Sequence, residues 1–196
     1  MKDRSVCATV GVIIYEGVEP IDIGATVGVL SMAHRVLPGL ETAILAQQSG
    51  TVRLAGGLTV IAQFGFAQAP ACDVVIVCGG PGWREQAVNP AMLAYLRAMA
   101  PNVASVCTGA LILAAAGLLD GRSATTRREA LGGEQHAPVA LLAELGKKIS
   151  AVSAVVVDDG IVTGGGVSLA IDTTLYLIGR LYGENARADV ARAIEY

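Results

Sequence analysis

The stretch NVASVCTGALILAAAGLLDG, residues 102–121, joins two kinds of sequence at a single cysteine. Before Cys107, a short run of small and β-branched residues is typical of a buried strand. After it, the alanine- and leucine-rich run 108–116 predicts a helix that Gly117 ends. A strand that passes directly into a helix in this way indicates an α/β fold.

The rest of the chain repeats this alternation of apolar strands and helices. Buried strands are predicted at 7–15, 72–83 and 102–106, and helices at 21–36, 90–100, 108–116, 138–145 and 168–182. A hairpin turn is predicted at Asp158, Asp159 and Gly160. Residues 127–136 fit neither a helix nor a strand pattern. Because the strands are apolar throughout, we expect a mostly parallel sheet covered on both faces. The prediction is a three-layer α/β/α sandwich that forms a single domain over residues 1–196.

Composition narrows the classes of function. Hydrophobic residues make up 53% of the chain and charged residues 16%, which indicates that some apolar surface is covered in a subunit interface, as in a homodimer. A net charge of −3 without a basic run excludes nucleic-acid binding by this chain alone. The longest apolar stretch, Ala110–Leu119, is too short to cross a membrane.

The cysteines and the N-terminus predict a cytoplasmic protein without a metal site. The spacing of the four cysteines fits no zinc pattern, and the chain has only two histidines. The first apolar run continues into Glu16 without a cleavage site, so we interpret it as a strand and not as an export signal. The cysteines are therefore expected to be free thiols in a reducing compartment.

Cys107 is the candidate nucleophile. A sharp strand-to-helix turn leaves room only for small residues two positions before and after, and Ser105 and Gly109 occupy those positions. A cysteine at a helix N-terminus is also expected to favour the thiolate. The other cysteines, Cys7, Cys72 and Cys78, lie in or beside apolar runs and are expected to be small buried side chains.

The candidate partner of this thiol is Asp22, in the segment GVEPIDIGA at 17–25. The alternative is that Asp22 is only an acidic residue of a first helical turn. His34 lies in a predicted helix and His136 in an ambiguous loop, so neither is favoured as a base.

Two glycine loops follow predicted strands, CGGPGW at 78–83 and TGGGVS at 163–168. Neither matches a phosphate-binding motif. The amides of Gly80 and Thr108 are instead candidates for binding substrate or stabilising developing negative charge. The glycines near 164 are expected to let a hairpin pack close to the Cys107 turn.

Four segments together resemble the ThiJ/PfpI superfamily: GVEPIDIGATVGVLSMA, CDVVIVCGGPGW, VASVCTGALILAAAGLLDGRSATT and VVDDGIVTGGGVSLAIDTTLYLIGRLYG. The resemblance covers nearly the whole chain and implies a flavodoxin-like, class I glutamine amidotransferase-like fold. The chain looks most like isonitrile hydratases and the sensor domains of AraC-type regulators. That resemblance implies Cys107 as nucleophile, Asp22 as its partner, and substrate positioning by Thr108 and Gly80. It also implies a homodimer that needs no cofactor.

The chain departs from these relatives at two places. Thr108 stands where protease members of the superfamily carry a histidine, which disfavours that branch. Arg127 and Arg128 follow Thr125-Thr126, where isonitrile hydratases and the regulators often carry a histidine, so the pocket is expected to take another substrate.

Three functions remain open from the sequence. The leading hypothesis is a cysteine-dependent hydratase, similar to isonitrile hydratase, that adds water to a small electrophilic substrate. The enzymatic alternative is glyoxalase- or deglycase-type action on reactive carbonyls. The non-enzymatic alternative is a ligand- or redox-sensing domain, since an exposed thiol of low pKa can be oxidised reversibly.

Overall fold

The computed structural model describes residues 7–196, and within them seven strands form one twisted sheet. Strands and helices alternate along the chain. The strands are β1 Ala8–Ile13, β2 Leu40–Ala46, β3 Gly50–Arg53, β4 Thr59–Ala62, β5 Phe64–Gly65, β6 Val74–Val77, β7 Val103–Ser105, β8 Ser123–Ala124, β9 Ser150–Ala151, β10 Val156–Asp158 and β11 Val162–Gly164. The helices are α1 Pro20–His34, α2 Trp83–Gln86, α3 Pro90–Met99, α4 Gly109–Ala115, α5 Pro138–Leu145, α6 Ala170–Tyr182 and α7 Glu184–Ala193.

The main sheet has the order β10-β11-β7-β6-β1-β2-β5. Every pairing in it is parallel except the hairpin between β10 and β11. The predicted α/β sandwich with a mostly parallel sheet is therefore confirmed. Two minor pairs, β3 with β4 and β8 with β9, lie outside this sheet. The strand predicted at 7–15 corresponds to β1. Residues 1–6 of the N-terminal segment lie outside the described residues.

The apolar runs of the sequence form the strands and helices at the centre of the fold. All four residues of β6 are buried, as are the first six of α4, because each lies in the interior between other layers. Helices α1, α6 and α7 pack together, while α4 packs with α2, α3 and α5. The two groups cover the two faces of the sheet. No helix among residues 7–196 has the length and hydrophobicity needed to cross a bilayer.

Local signals place the helix starts well. Asn89 caps α3 as predicted, with its side-chain oxygen accepting from the amides of Ala91 at 3.0 Å and Met92 at 3.4 Å. Helix α1 instead begins with Pro20 at its first position and has no side-chain cap at Glu19. This start makes Asp22 the third residue of α1 and directs it into the interior, where it is fully buried.

Candidate active site

Cys107 occupies the sharp turn between β7 and α4 that the sequence predicts. Its φ of 53° lies in the left-handed region, which a residue with a side chain rarely adopts. The amide of Cys107 donates to the carbonyls of Gly164 and Gly165 at 3.2 and 3.1 Å. Its carbonyl accepts from the Thr126 hydroxyl at 2.6 Å. These bonds hold the turn in a conformation that the backbone alone disfavours.

Small residues are required around this turn because two loops pass very close together. A Cβ added at Gly109 would lie 2.1 Å from the Val77 carbonyl oxygen, and one at Gly79 would lie 2.5 Å from the Thr108 amide nitrogen. The crowding predicted at Gly109 is therefore present. The same approach brings the loop after β6 into contact with the Cys107 turn.

Asp22 lies next to the thiol, as the sequence predicts. Its Oδ2 accepts from the Gly79 amide at 2.8 Å, whereas its Oδ1 is buried without an aligned donor. Burial raises the pKa of this carboxyl to about 7, although the Gly79 amide, the Cys107 thiol and Arg127 all act to lower it. A carboxyl with this pKa can take up and release a proton near neutral pH.

The surroundings of the Cys107 thiol disfavour the thiolate that the sequence leads us to expect. Burial, and then the charge of Asp22, raise the pKa of the thiol to about 12. The Thr108 amide and hydroxyl and the Arg127 guanidinium act against this shift but do not overcome it. Helix α4 has only seven residues and the cysteine is 3% exposed, so desolvation outweighs the helix-end effect. The thiol therefore needs a base when it reacts.

Gly80 and Thr108 are brought together, but not in the arrangement expected of a free oxyanion site. The Gly80 amide donates to Thr108 Oγ1 at 2.8 Å, so this donor is already occupied. Gly80 has a φ of 146°, and a Cβ there would lie 2.4 Å from the Glu19 amide nitrogen. The close packing of these loops fixes the Gly80 amide on the hydroxyl. The donor that remains directed at the Cys107 sulfur is the Thr108 amide.

A cavity of about 190 Å³ opens onto Cys107. Its walls combine apolar side chains with three charged ones. The lining residues are Glu19, Ile21, Gly80, Pro81, Trp83, Cys107, Thr108, Arg127, Leu131, Glu134 and Val167. Asp22 lies behind Cys107 and is not among the residues that line the cavity. A chamber of this size fits a small ligand beside the sulfur.

Arg127, which is buried, and Glu134, which is partly exposed, form an ion pair in the cavity wall. Arg127 Nη2 lies 2.6 Å from Glu134 Oε1, and its Nη1 donates to the Glu129 carbonyl at 2.5 Å. Arg127 is 8% exposed. A Cβ on Gly166 would lie 2.7 Å from Arg127 Cβ and 3.1 Å from Cys107 Sγ, so this glycine packs against both side chains. The pair thus belongs to the wall that faces the thiol.

Sequence reasoning missed several residues of the wall. Arg127 was recognised only as a departure from relatives, while Glu19, Trp83 and Glu134 were not singled out. Glu19 stands three residues before Asp22 and Trp83 ends the glycine loop, so proximity to those motifs was the available signal. Glu134 lies in the segment that fitted neither pattern, and nothing local identifies it.

The remaining predicted positions lie away from the cavity. His34 and His136 are exposed, and neither lines it. Cys78 is buried as expected and Cys72 is partly buried. The expectation for Cys7 is wrong, because Cys7 is exposed just before β1. Among residues 7–196 no group of three or more His, Cys, Asp or Glu side chains could hold a metal ion.

Comparisons with known proteins identify the family of this chain. The profile of the DJ-1/PfpI family matches residues 8–180. The chain is 32% identical to an isonitrile hydratase of Pseudomonas putida over 190 residues, which covers 95% of this chain and 78% of the relative. It is 31% identical over 196 residues to the HTH-type transcriptional regulator GbdR of Pseudomonas aeruginosa. That match covers 96% of this chain and only 50% of the regulator.

Solved structures show the same fold. A THiJ/PfpI family protein from Pseudomonas syringae superposes with a TM-score of 0.79 at 26% identity, covering 100% of this chain and 76% of that protein. Drosophila melanogaster DJ-1beta superposes with a TM-score of 0.81 at 21% identity, covering 96% of this chain and 98% of that protein. Together with the profile match over most of its length, these likenesses show that the chain belongs to the DJ-1/PfpI family.

Proposed function

We propose that this protein is a cysteine-dependent hydratase that adds water to a small electrophilic carbon, with an isonitrile as the model substrate. The observation that carries the proposal is the Asp22 carboxyl, with a pKa of about 7, beside the Cys107 thiol, which lines a cavity of about 190 Å³. The 32% identity to an isonitrile hydratase over nearly the whole chain supports it.

The first step adds the thiol across the terminal carbon of the isonitrile. The Asp22 carboxylate takes the Cys107 proton as the sulfur forms a bond to that carbon. The protonated Asp22 then gives the proton to the same carbon. The product is a thioformimidate in which a C–S and a C–H bond have formed. The substrate nitrogen retains a double bond to the carbon.

The second step returns the free enzyme. Water adds to the thioformimidate carbon, and Asp22 accepts one of its protons. Asp22 passes that proton to the nitrogen, the C–S bond breaks, and the proton of the added hydroxyl returns to the sulfur to restore the Cys107 thiol. The product is an N-substituted formamide, so that one water has been added and nothing is oxidised or reduced. The Thr108 amide, directed at the sulfur, stabilises the thiolate as it leaves.

A ligand-sensing role is the second candidate, and one observation favours it. The chain aligns over nearly its whole length with half of an HTH-type regulator. A sensing domain of this kind binds its ligand in the same cavity but completes no turnover. The site then serves recognition, and Cys107 contributes shape more than reactivity.

The test compares two substrate classes and one variant. Purified protein is incubated with an alkyl isonitrile and, separately, with methylglyoxal, and the products are measured by NMR. The hydratase proposal expects formamide from the isonitrile, with loss of at least about a thousandfold in Cys107→Ala. A fully active Cys107→Ala protein contradicts it. Saturable binding without turnover of either compound supports the sensing role instead.

A further inference from the structure

Glu19 brings an unpartnered carboxylate into the cavity. Its backbone amide donates to the Gly79 carbonyl at 2.8 Å, which fixes the residue at the start of α1. The side chain lines the cavity and is partly buried. Within residues 7–196 no hydrogen bond or ion pair engages this carboxylate. A partly buried charge without a partner in a ligand cavity is available to a ligand.

Neither Arg127 nor Arg84 forms an ion pair with Glu19 within residues 7–196. Arg127 directs Nη2 to Glu134 and Nη1 to the Glu129 carbonyl, so its charge is matched within the wall. Arg84 is exposed and stacks over the Trp83 ring at 4.7 Å, outside the set of lining residues. Three charged residues line the cavity: Arg127 and Glu134, which pair with each other, and Glu19. Their sum gives the lining a net negative charge.

The rest of the wall is apolar. Pro81, Trp83 and Val167 line the chamber. Ile21 and Leu131 also line it, and both are largely exposed, at 55% and 60%. A short aliphatic arm fits such a wall, and Glu19 is the group left to meet a charge carried by that arm.

We propose that Glu19 selects substrates that carry a positive charge, such as a protonated amine, on a short aliphatic arm attached to the reacting carbon. The proposal rests on the proposed function only in taking Cys107 as the reacting atom. The negative field of Glu19 reaches the floor of the site, because it also raises the pKa of Asp22. A cation entering the cavity meets the same field with the opposite sign.

The direct experiment measures how charged reagents modify Cys107. Three methanethiosulfonates are used: 2-aminoethyl (cationic), 2-hydroxyethyl (neutral) and 2-sulfonatoethyl (anionic). In each reaction the cysteine sulfur forms a disulfide with the reagent, methanesulfinate leaves, and the thiol proton passes to base. Peptide mass spectrometry gives the rate at Cys107, and each rate is divided by that of a small free thiol to remove intrinsic reactivity.

The proposal expects the cationic reagent to modify Cys107 about fivefold faster than the neutral one, and the anionic reagent to be slowest. Glu19→Gln reduces the cation-to-neutral ratio to about one. The ratio is used because losing Glu19 also changes the pKa of Asp22 and with it the reactivity of the Cys107 thiol, and that change in reactivity is common to all three reagents. Glu41→Gln, an exposed carboxylate on β2 outside the cavity, is the matched control and keeps the wild-type ratio.

A wild-type ratio near one, or a fivefold ratio that survives in Glu19→Gln, overturns the proposal. A turnover experiment separates it from the hydratase function. It compares 3-(dimethylamino)propyl isocyanide with its uncharged isostere, 4-methylpentyl isocyanide. Preference for the cationic isocyanide that disappears in Glu19→Gln supports both proposals. Charge-selective modification of Cys107 without turnover of either isocyanide supports charge selection and contradicts the hydratase function.

Discussion

Cys78 and Cys107 follow neighbouring parallel strands at the same edge of the sheet, yet only one of them lies in a site. The strands are paired so that Val77 of β6 stands opposite Ser105 of β7. Cys78 comes one residue after its strand and is fully buried. Cys107 comes two residues after its strand, takes a left-handed φ and lines the cavity. The conformation of the turn, more than the residue type, decides whether a thiol is available.

The surroundings of the two thiols strengthen this contrast. Burial, reinforced by the charge of Asp22, raises the pKa of Cys78 well above its ordinary value. The Cys78 carbonyl accepts from the Tyr15 hydroxyl at 2.9 Å, which anchors its loop in the core. Cys107 has a raised pKa as well, but the Thr108 amide and the Arg127 guanidinium act to lower it. Only Cys107 therefore combines access to a ligand with groups that stabilise its thiolate.

The largest difference in activity is expected between two single variants, Cys107→Ala and Cys78→Ala. Cys107→Ala removes the nucleophile and lowers kcat/KM for the isonitrile by at least about a thousandfold while the fold is kept. Cys78→Ala leaves kcat/KM within about threefold and lowers the free energy of unfolding by roughly 1–2 kcal/mol, because it opens a small void. Kinetics and urea unfolding of both variants measure the difference. Equal losses of activity would remove the distinction between the two turns.

Asp22→Asn tests whether the Asp22 carboxylate is the base that activates Cys107. The variant lowers kcat by about a hundredfold or more, because the thiol loses its proton acceptor. Circular dichroism separates this loss from misfolding.

Asp22→Asn is expected to lower activity but to raise the free energy of unfolding above pH 7. Burial raises the pKa of Asp22 from 3.8 to about 7, so the folded state keeps a proton that the unfolded state releases. The wild-type protein therefore loses stability as pH rises from about 4 to 7, and the variant does not. At pH 8 we expect Asp22→Asn to be more stable than wild type by roughly 2–4 kcal/mol, measured by urea unfolding. A less stable variant at pH 8 would show that the carboxylate is well solvated or paired.

Gly109→Ala probes the crowding between the two turns. The added Cβ would lie 2.1 Å from the Val77 carbonyl oxygen and 3.2 Å from that of Cys78. We expect a loss of roughly 2–3 kcal/mol in the free energy of unfolding and reduced activity, because the loops must separate. Gly24→Ala, an exposed position on α1 with nothing within 4 Å of the new Cβ, is the control and is expected to gain up to about 1 kcal/mol. A neutral Gly109→Ala would mean that the turn is looser than described.

The smallest effect is expected at Thr126, whose hydroxyl supports the Cys107 carbonyl. Thr126→Val removes that bond and lowers stability by about 1–2 kcal/mol and kcat by less than about tenfold. Thr125→Val is the control, since its buried hydroxyl donates to the Ala154 carbonyl at 3.0 Å and accepts from the Ala154 amide at 3.3 Å. It should cost at least as much stability, because two hydrogen bonds are lost, without the loss in kcat. Equal loss of kcat in both variants would count against a specific role for the Thr126 bond.

The sequence predicts those parts of the molecule that local rules control. The apolar strands, the capped start of α3 and the small residue at Gly109 each follow from neighbouring residues, and each is present. Asp22 was a candidate partner of Cys107 from its place after the first strand, and the motif resemblance strengthened that prediction.

Features that depend on distant loops were not predictable in this way. Trp83 becomes part of the cavity wall only when separate strand ends meet at one edge, and the Arg127–Glu134 pair forms within a loop that has no periodic pattern. The raised pKa of Cys107 was not predicted, because a helix N-terminus is visible in sequence whereas the depth of burial is not. The occupied Gly80 amide escaped prediction for the same reason, since its partner hydroxyl comes from another loop.

The measurement that tests the account most directly is the pH dependence of Cys107 alkylation by iodoacetamide, followed by peptide mass spectrometry. In the wild-type protein the rate should rise with a midpoint of about 7, because the Asp22 carboxylate takes the thiol proton as the sulfur attacks. In Asp22→Asn the rise should move to strongly alkaline pH, towards the thiol's own pKa, while Cys78 stays unmodified in both proteins. Identical profiles in the two proteins would show that Asp22 does not activate Cys107.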